Sequence, residues 1–184
     1  MFDGPMLDTT QTADDTDRIE FSRVDRTTWT LLARQRVPIK RADLFPFFAD
    51  AANLARITPP ELGFHIVTPT PIDMRAGALI DYEIRLWGLA MRWRTEISVW
   101  SPPGEFVDTQ RRGPYAEWVH RHRFIAMPDD STLVEDLVRF RLPLGALGAV
   151  AGPIVRRQLR RIFDYRRTVI AGLRSSPAGA VAFS

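Results

Sequence analysis

Two of the chain's three histidines stand two residues apart, His120 and His122, within the segment QRRGPYAEWVHRHRF at residues 110–124. The segment reads as two strands around a Gly-Pro turn. Strand side chains alternate between faces, so Trp118, His120, His122 and Phe124 share one surface. Imidazoles titrate near neutral pH, and a carboxylate beside one fixes its tautomer and raises its proton affinity, as general acid–base catalysis requires. The turn at Pro128-Asp129-Asp130 brings such a carboxylate close. If Met127 pairs with Ser131, then Phe124 opposes Val134, His122 opposes Asp136 and His120 opposes Val138. His122 and Asp136 are therefore the catalytic candidates. The same pair also serves as a structural hydrogen bond across a ladder, or as an anchor for the polar end of a ligand.

Pairing Val99 with Phe106 across the turn Ser101-Pro102-Pro103-Gly104 sets Asp108 opposite Ile97 and Gln110 opposite Thr95. The face then gathers Tyr82, Trp93, Phe106, Asp108, Gln110, Trp118, His120 and Phe140 as ligand-contacting candidates, interleaved with Ile84 and Ile97. Arg112 and Tyr115 flank the Gly-Pro turn at the rim, where an acidic head group would meet them. This mixture is too polar for a core and too apolar for an exterior. It suits the wall of a pocket for a largely hydrophobic molecule with a few polar points. A register slip of one residue would turn part of it outward.

Other chemistries find less support. Zero cysteines exclude disulfides, thiolate metal sites and cysteine nucleophiles together. His120, His122 and Asp136 are acceptable metal-ligand types, but there is no helical His-x-x-x-His pair, and no metal is expected. No Gly-x-Ser-x-Gly elbow and no glycine-rich phosphate loop occur, so no cofactor is expected. Nucleic-acid modules interleave basic and aromatic residues on one platform; here the arginines fall opposite the aromatics, and no nucleic-acid partner is expected.

The elements that must position the polar face read clearly. A first strand spans about residues 28–35, one or two short helices fill 43–57, and Thr58-Pro59-Pro60 stops them. From there to residue 141 the chain is strands and turns, giving about seven antiparallel strands in consecutive hairpins. Residues 153–173 carry Val155, Leu159, Ile162, Phe163, Val169, Ile170 and Leu173 at helical spacing, with Arg156, Arg157, Arg160, Arg161 and Arg167 mostly on the other side. Such a helix buries its stripe by lying across the sheet. The glycine-rich segment LPLGALGAVAG at residues 142–152 is the candidate lid.

The chain divides into a disordered acidic extension at 1–27, a folded domain at 28–174 and a flexible tail at 175–184, although Ile19 and Phe21 are placed to add a short strand. Residues 1–26 carry seven acids against three arginines, a net of −4, so the remainder holds +7 of an overall +3. The basic remainder reads as a solvated surface, with contact to anionic membrane lipid as the minor alternative. No apolar run approaches the roughly 18 residues that span a bilayer, and no secretory leader is visible, which points to the cytoplasm.

The segments NLARITPPELGF at 53–64, GALIDY at 77–82, FVDTQ at 106–110 and GPYAEWVHRHRF at 113–124, with Asp136, resemble the SRPBCC, or START/birch-allergen-like, superfamily. The nearest branch is that of the bacterial polyketide cyclase/dehydrase-like proteins. The resemblance covers residues 29–173. It implies an α+β helix-grip fold, a curved antiparallel sheet around a long C-terminal helix, with a cavity for a hydrophobic small molecule between them. It implies either a carrier or sensor, or a cyclase, aromatase or dehydratase in which His122, Asp136, Gln110 and Arg112 orient carbonyls and move protons.

Overall fold

Apolar and polar residues alternate along the longer strands, and these build one antiparallel sheet. The computed structural model describes residues 17–86, 88–175 and 181–183. In chain order, β1 (Arg18–Arg23) and β2 (Thr28–Val37) precede α1 (Arg41–Ala49) and two 3-10 turns, Ala51–Ala55 and Pro60–Leu62. Then follow β3 (His65–Ile66), β4 (Leu79–Leu86), β5 (Leu89–Ser101), β6 (Glu105–Arg112), β7 (Glu117–Ala126) and β8 (Thr132–Arg141). The long helix α2 (Gly145–Ala171) leads into a small hairpin of β9 (Leu173–Ser175) and β10 (Val181–Phe183). The eight strands of the main sheet lie in the order β1-β2-β8-β7-β6-β5-β4-β3. This is the α+β helix-grip architecture, with one strand more than the sequence suggested.

The extra strand is β1. It lies inside the stretch expected to be disordered, and it forms because Ile19 and Phe21 have somewhere to go. Ile19 is buried, Arg160 of α2 donates to its carbonyl oxygen at 3.1 Å, and the same guanidinium sits 5.5 Å from the Phe21 ring. Arg156 lies over the Trp29 ring at 4.2 Å. Arginines read as a solvated helix face thus hold down a strand edge, their stems and planar heads covering aromatic surface. Residues 1–16 lie outside the described residues. The tail expected at 175–184 includes β10, which pairs with β9 from Val181↔Ser175 to Phe183↔Leu173.

The turns set the register. Met127 N–H donates to Ser131 O at 2.9 Å, and from that closure Phe124 faces Val134, His122 faces Asp136 and His120 faces Val138. At the other hairpin the sequence expectation needs correction. Ser101 pairs with Glu105 and Val99 with Val107 rather than Phe106. A bulge between Ile97 and Val99 then absorbs one residue, so Ile97↔Asp108 and Thr95↔Gln110 come out as the alternation requires.

Helix α2 begins at Gly145, eight residues before Pro153, so the segment expected to be a lid is largely helical. Pro153 suits a first turn, which is why it reads as a start, yet packing carries the helix through it. Two glycines fit the packing rather than any hinge. A Cβ on Gly148 would run into the carbonyl oxygen of Pro143, and one on Gly152 would touch the Trp29 ring at 3.9 Å. Val155, Leu159, Phe163, Arg166 and Ile170 form the buried stripe against the sheet.

On the outer face charged side chains pair across strands: Arg94 with Asp81 at 2.7 Å, Arg111 with Glu96 at 2.7 Å and Arg139 with Glu117 at 2.8 Å. Such exposed pairs contribute about 0–1 kcal/mol each, and they neutralise much of the basic surface locally. No helix among the described residues is long and apolar enough to cross a membrane.

Candidate ligand-binding site

Between the inner face of the sheet and α2 lies a cavity of about 190 Å³. One water needs roughly 10–15 Å³ on the same measure, so the space is more than ten times that. Most of its wall is apolar. The 3-10 turn Ala51–Ala55 contributes Ala51 and Leu54, strands β4 and β5 contribute Ile80, Tyr82, Ile84, Trp93 and Ile97, and α2 contributes Leu159, Ile162 and Phe163. Asp50 caps that turn by accepting from Ala52 N–H at 2.9 Å, and Asn53 ties it to Phe47 O at 3.0 Å. The turn is thereby held as one rim of the cavity.

The polar wall is a single hydrogen-bonded group. Asp108 on β6 and His120 on β7 are direct partners, as are His122 on β7 and Asp136 on β8, because paired residues share a face. His122 Nε2 is 2.8 Å from Asp108 Oδ2, and its Nδ1 is 2.8 Å from Asp136 Oδ1. His120 Nε2 is 3.0 Å from the same Asp136 oxygen. The two imidazoles lie 3.7 Å apart, and Phe106 stacks on His122 at 4.2 Å. From α2, Arg166 donates to both oxygens of Asp136, Nε to Oδ2 at 3.0 Å and Nη2 to Oδ1 at 3.2 Å.

Burial acts differently on each member. For Asp136 it favours the neutral acid, but the Arg166 charge and the two imidazoles outweigh it and hold the carboxyl well below its usual range. His120 is pushed down, first by burial and then by the neighbouring His122. His122 is buried as well, yet the flanking Asp108 and Asp136 carry its proton affinity above the ordinary value. Adjacent imidazoles thus differ in proton affinity, His122 being the more basic of the two. Burial also raises Tyr82 and Tyr115, keeping both phenols neutral.

Of the residues singled out in the sequence, Tyr82, Trp93, Phe106, Asp108, Trp118, His120 and His122 line the cavity, as does Tyr115. Asp136 stands behind the histidines rather than on the wall. Gln110 is taken up locally, its Nε2 donating to Tyr115 O at 2.7 Å and its Oε1 accepting from Tyr115 N–H at 3.4 Å. It shapes the β6–β7 turn and is not free for a ligand. Arg112 is exposed, and Phe140 is fully buried against Trp118 and Tyr115, so neither lines the cavity. Trp93 and Trp118 are the tryptophans on the wall, while Trp87 lies outside the described residues.

Sequence reasoning missed Arg166. Its signal was positional: Leu159, Phe163, Arg166 and Ile170 are spaced four, three and four apart, so a charged residue occupies an inward position of the apolar stripe. A buried arginine requires a buried anion, and Asp136 supplies it.

A curved sheet gripping one long helix, with a cavity and a polar wall between them, is a START-like fold. Solved structures agree. An aromatase/cyclase, Zhui, from a Streptomyces species matches with a TM-score of 0.63 at 13% identity, over 79% of this chain and 92% of that one. A START superfamily protein from Mycobacterium smegmatis matches with a TM-score of 0.60 at 14% identity, over 78% and 94%. A major latex-like protein from Panax ginseng matches with a TM-score of 0.57 at 11% identity, over 79% and 96%. The fold is therefore the one that the SRPBCC resemblance implied. No protein-family model matches the sequence, and no curated protein matches it.

Proposed function

We propose that the protein binds a hydrophobic or amphipathic small molecule, lipid-like or polyketide-like, in the cavity beneath α2, as a carrier or sensor. One observation carries this reading: a largely apolar space of about 190 Å³ with charged side chains concentrated on one wall. Apolar surface moved from water into such a space gains roughly 25 cal/mol per Å². Asp108, His120, His122 and Arg166 would then orient whichever end of the guest carries oxygen. Native mass spectrometry of the purified protein, with titration of a fluorescent fatty acid, tests it. A chain that carries no guest and takes up no probe would end the reading.

A second reading, a cyclase, aromatase or dehydratase acting on a polyketide-like substrate, is favoured by the opposed proton affinities of His120 and His122. Rings of unlike proton affinity can divide the roles of acid and base, one donating to a carbonyl oxygen while the other accepts from a neighbouring carbon. The fold likeness to an aromatase/cyclase is consistent with this. The participants would be His122 and His120 at the wall, with Asp136 positioning both; Gln110 and Arg112 are placed elsewhere. Comparing His122→Ala and Asp136→Asn separates the readings. A carrier keeps most of its affinity and shows no turnover, whereas an enzyme loses rate far more than affinity.

A further inference from the structure

The polar wall uses its ring nitrogens in a particular order. Asp136 Oδ1 engages one nitrogen of each imidazole, His120 Nε2 at 3.0 Å and His122 Nδ1 at 2.8 Å. The two remaining nitrogens, His120 Nδ1 and His122 Nε2, approach one oxygen, Asp108 Oδ2, at 3.6 and 2.8 Å. One ligand atom from each of Asp108, His120 and His122 lies within 4.8 Å of the others. A tetrahedral ion with bonds near 2.1 Å keeps its ligands about 3.4 Å apart, so small side-chain shifts would accommodate one. Ligating histidines ordinarily give their other nitrogen to a carboxylate, which fixes tautomer and ring orientation. Here one carboxylate does this for both rings and is itself clamped by Arg166.

We propose that Asp108, His120 and His122 form a site for a divalent transition metal, two imidazoles and one carboxylate, with its open coordination position facing the cavity. The sequence offered Asp136 as the third ligand, and the lack of a thiolate and of a helical His-x-x-x-His pair argued against a metal. The structure puts Asp136 behind the rings and Asp108 in front of them. A mixed nitrogen and oxygen donor set without thiolate suits Zn²⁺ or Fe²⁺ rather than a soft ion. Arg166 and Asp136 cancel, so a dication held by Asp108 keeps a surplus of one positive charge. That surplus favours an anionic oxygen, a carboxylate or enolate, at the open position. The inference rests on the reading of the cavity as a small-molecule site, because all three ligand residues line that space.

The test uses the full chain, stripped with a chelator and titrated with Co²⁺. One equivalent should bind, giving the visible absorption of a four- or five-coordinate ion, and Zn²⁺ should displace it. His120→Ala and His122→Ala should each weaken binding about 100-fold or more, and Asp136→Asn about 10- to 100-fold through ring orientation. His65→Ala, which alters the exposed third histidine, should change nothing. Asp108→Asn, nearly isosteric, carries the test should a histidine variant fail to fold. Absence of saturable Co²⁺ binding, or binding that survives in Asp108→Asn and both histidine variants, overturns the site. Fatty-acid uptake by the stripped protein is measured in parallel. Uptake without Co²⁺ binding removes the metal alone, and absent uptake removes the ligand-binding reading.

Discussion

Arg166 reaches from α2 to the inner face of the sheet and clasps Asp136 of β8 with hydrogen bonds of 3.0 and 3.2 Å. The helix and the sheet are therefore joined by charge as well as by apolar contact, at the point where the cavity wall is most polar. Each partner is costly to bury alone and tolerable only because of the other.

Removing the arginine should be severe. Arg166→Met leaves Asp136 buried without its strongest partner and is expected to lower unfolding free energy by about 3–5 kcal/mol. The double variant Arg166→Met/Asp136→Asn should recover a substantial part of that loss, since no buried charge is stranded. Urea unfolding of both proteins decides the matter; a single variant within about 1 kcal/mol of the parent would contradict a buried pair.

Acid should unfold the metal-free protein through the same carboxylate. Asp136 is faced by Arg166 from α2, by His120 and His122 from β7 and, across these rings, by Asp108 from β6. Its folded-state pKa lies below its ordinary value of 3.8, so the unfolded chain binds the proton better. The stabilisation is complete above that ordinary value and is lost as pH falls through and below it. Melting temperature plotted against pH should drop steeply below about pH 4, and Asp136→Asn should flatten the drop.

Filling the cavity should weaken uptake without unfolding the protein. Ile162 lines the space from α2 and is only partly buried, so Ile162→Trp can place its bulk inside with little strain on the sheet. Probe affinity is expected to fall by tenfold or more, equivalent to about 1.4 kcal/mol, with an unchanged melting temperature. Unaltered affinity would mean that the guest binds elsewhere.

The start of α2 should be intolerant of a single methyl group. Gly148→Ala drives a Cβ into the Pro143 carbonyl and is expected to cost about 1–3 kcal/mol. Gly104→Ala, whose added atom would meet Ser101 O at an ordinary 3.6 Å, is the control. Equal melting temperatures for the two variants would show that the glycine-rich turns move aside freely, as a lid would.

Short-range rules made the site partly legible. The turn at 128–130 sets the register of β7 and β8, so His122 could be placed opposite Asp136 without coordinates. Asp108 was placed on the same face even though the bulge near Ser98 displaced Phe106 from its expected partner. Arg166 was hidden because its burial depends on an anion 30 residues away in the chain, and a lone charge in an apolar stripe reads as the edge of the helix. Strand β1 was ambiguous because Arg18, Glu20 and Arg23 mask Ile19, whose burial comes from α2. The cavity had no signature, since inward-facing residues look the same whether they meet or leave a gap.

The partnership of β2 with β8 joins the first long strand to the last, and its Arg34–Glu135 hydrogen bond spans 101 residues. During synthesis the receptacle is thus only a half-built trough until β8 and the helix α2 that roofs it have left the ribosome. Closure of so distant a pairing is slow, on the order of milliseconds to seconds, because the intervening loop must first be brought together. Before that moment the inner face is an open apolar slope rather than a chamber. Under the proposed carrier reading, loading needs the finished polypeptide, and C-terminally truncated chains should aggregate rather than bind.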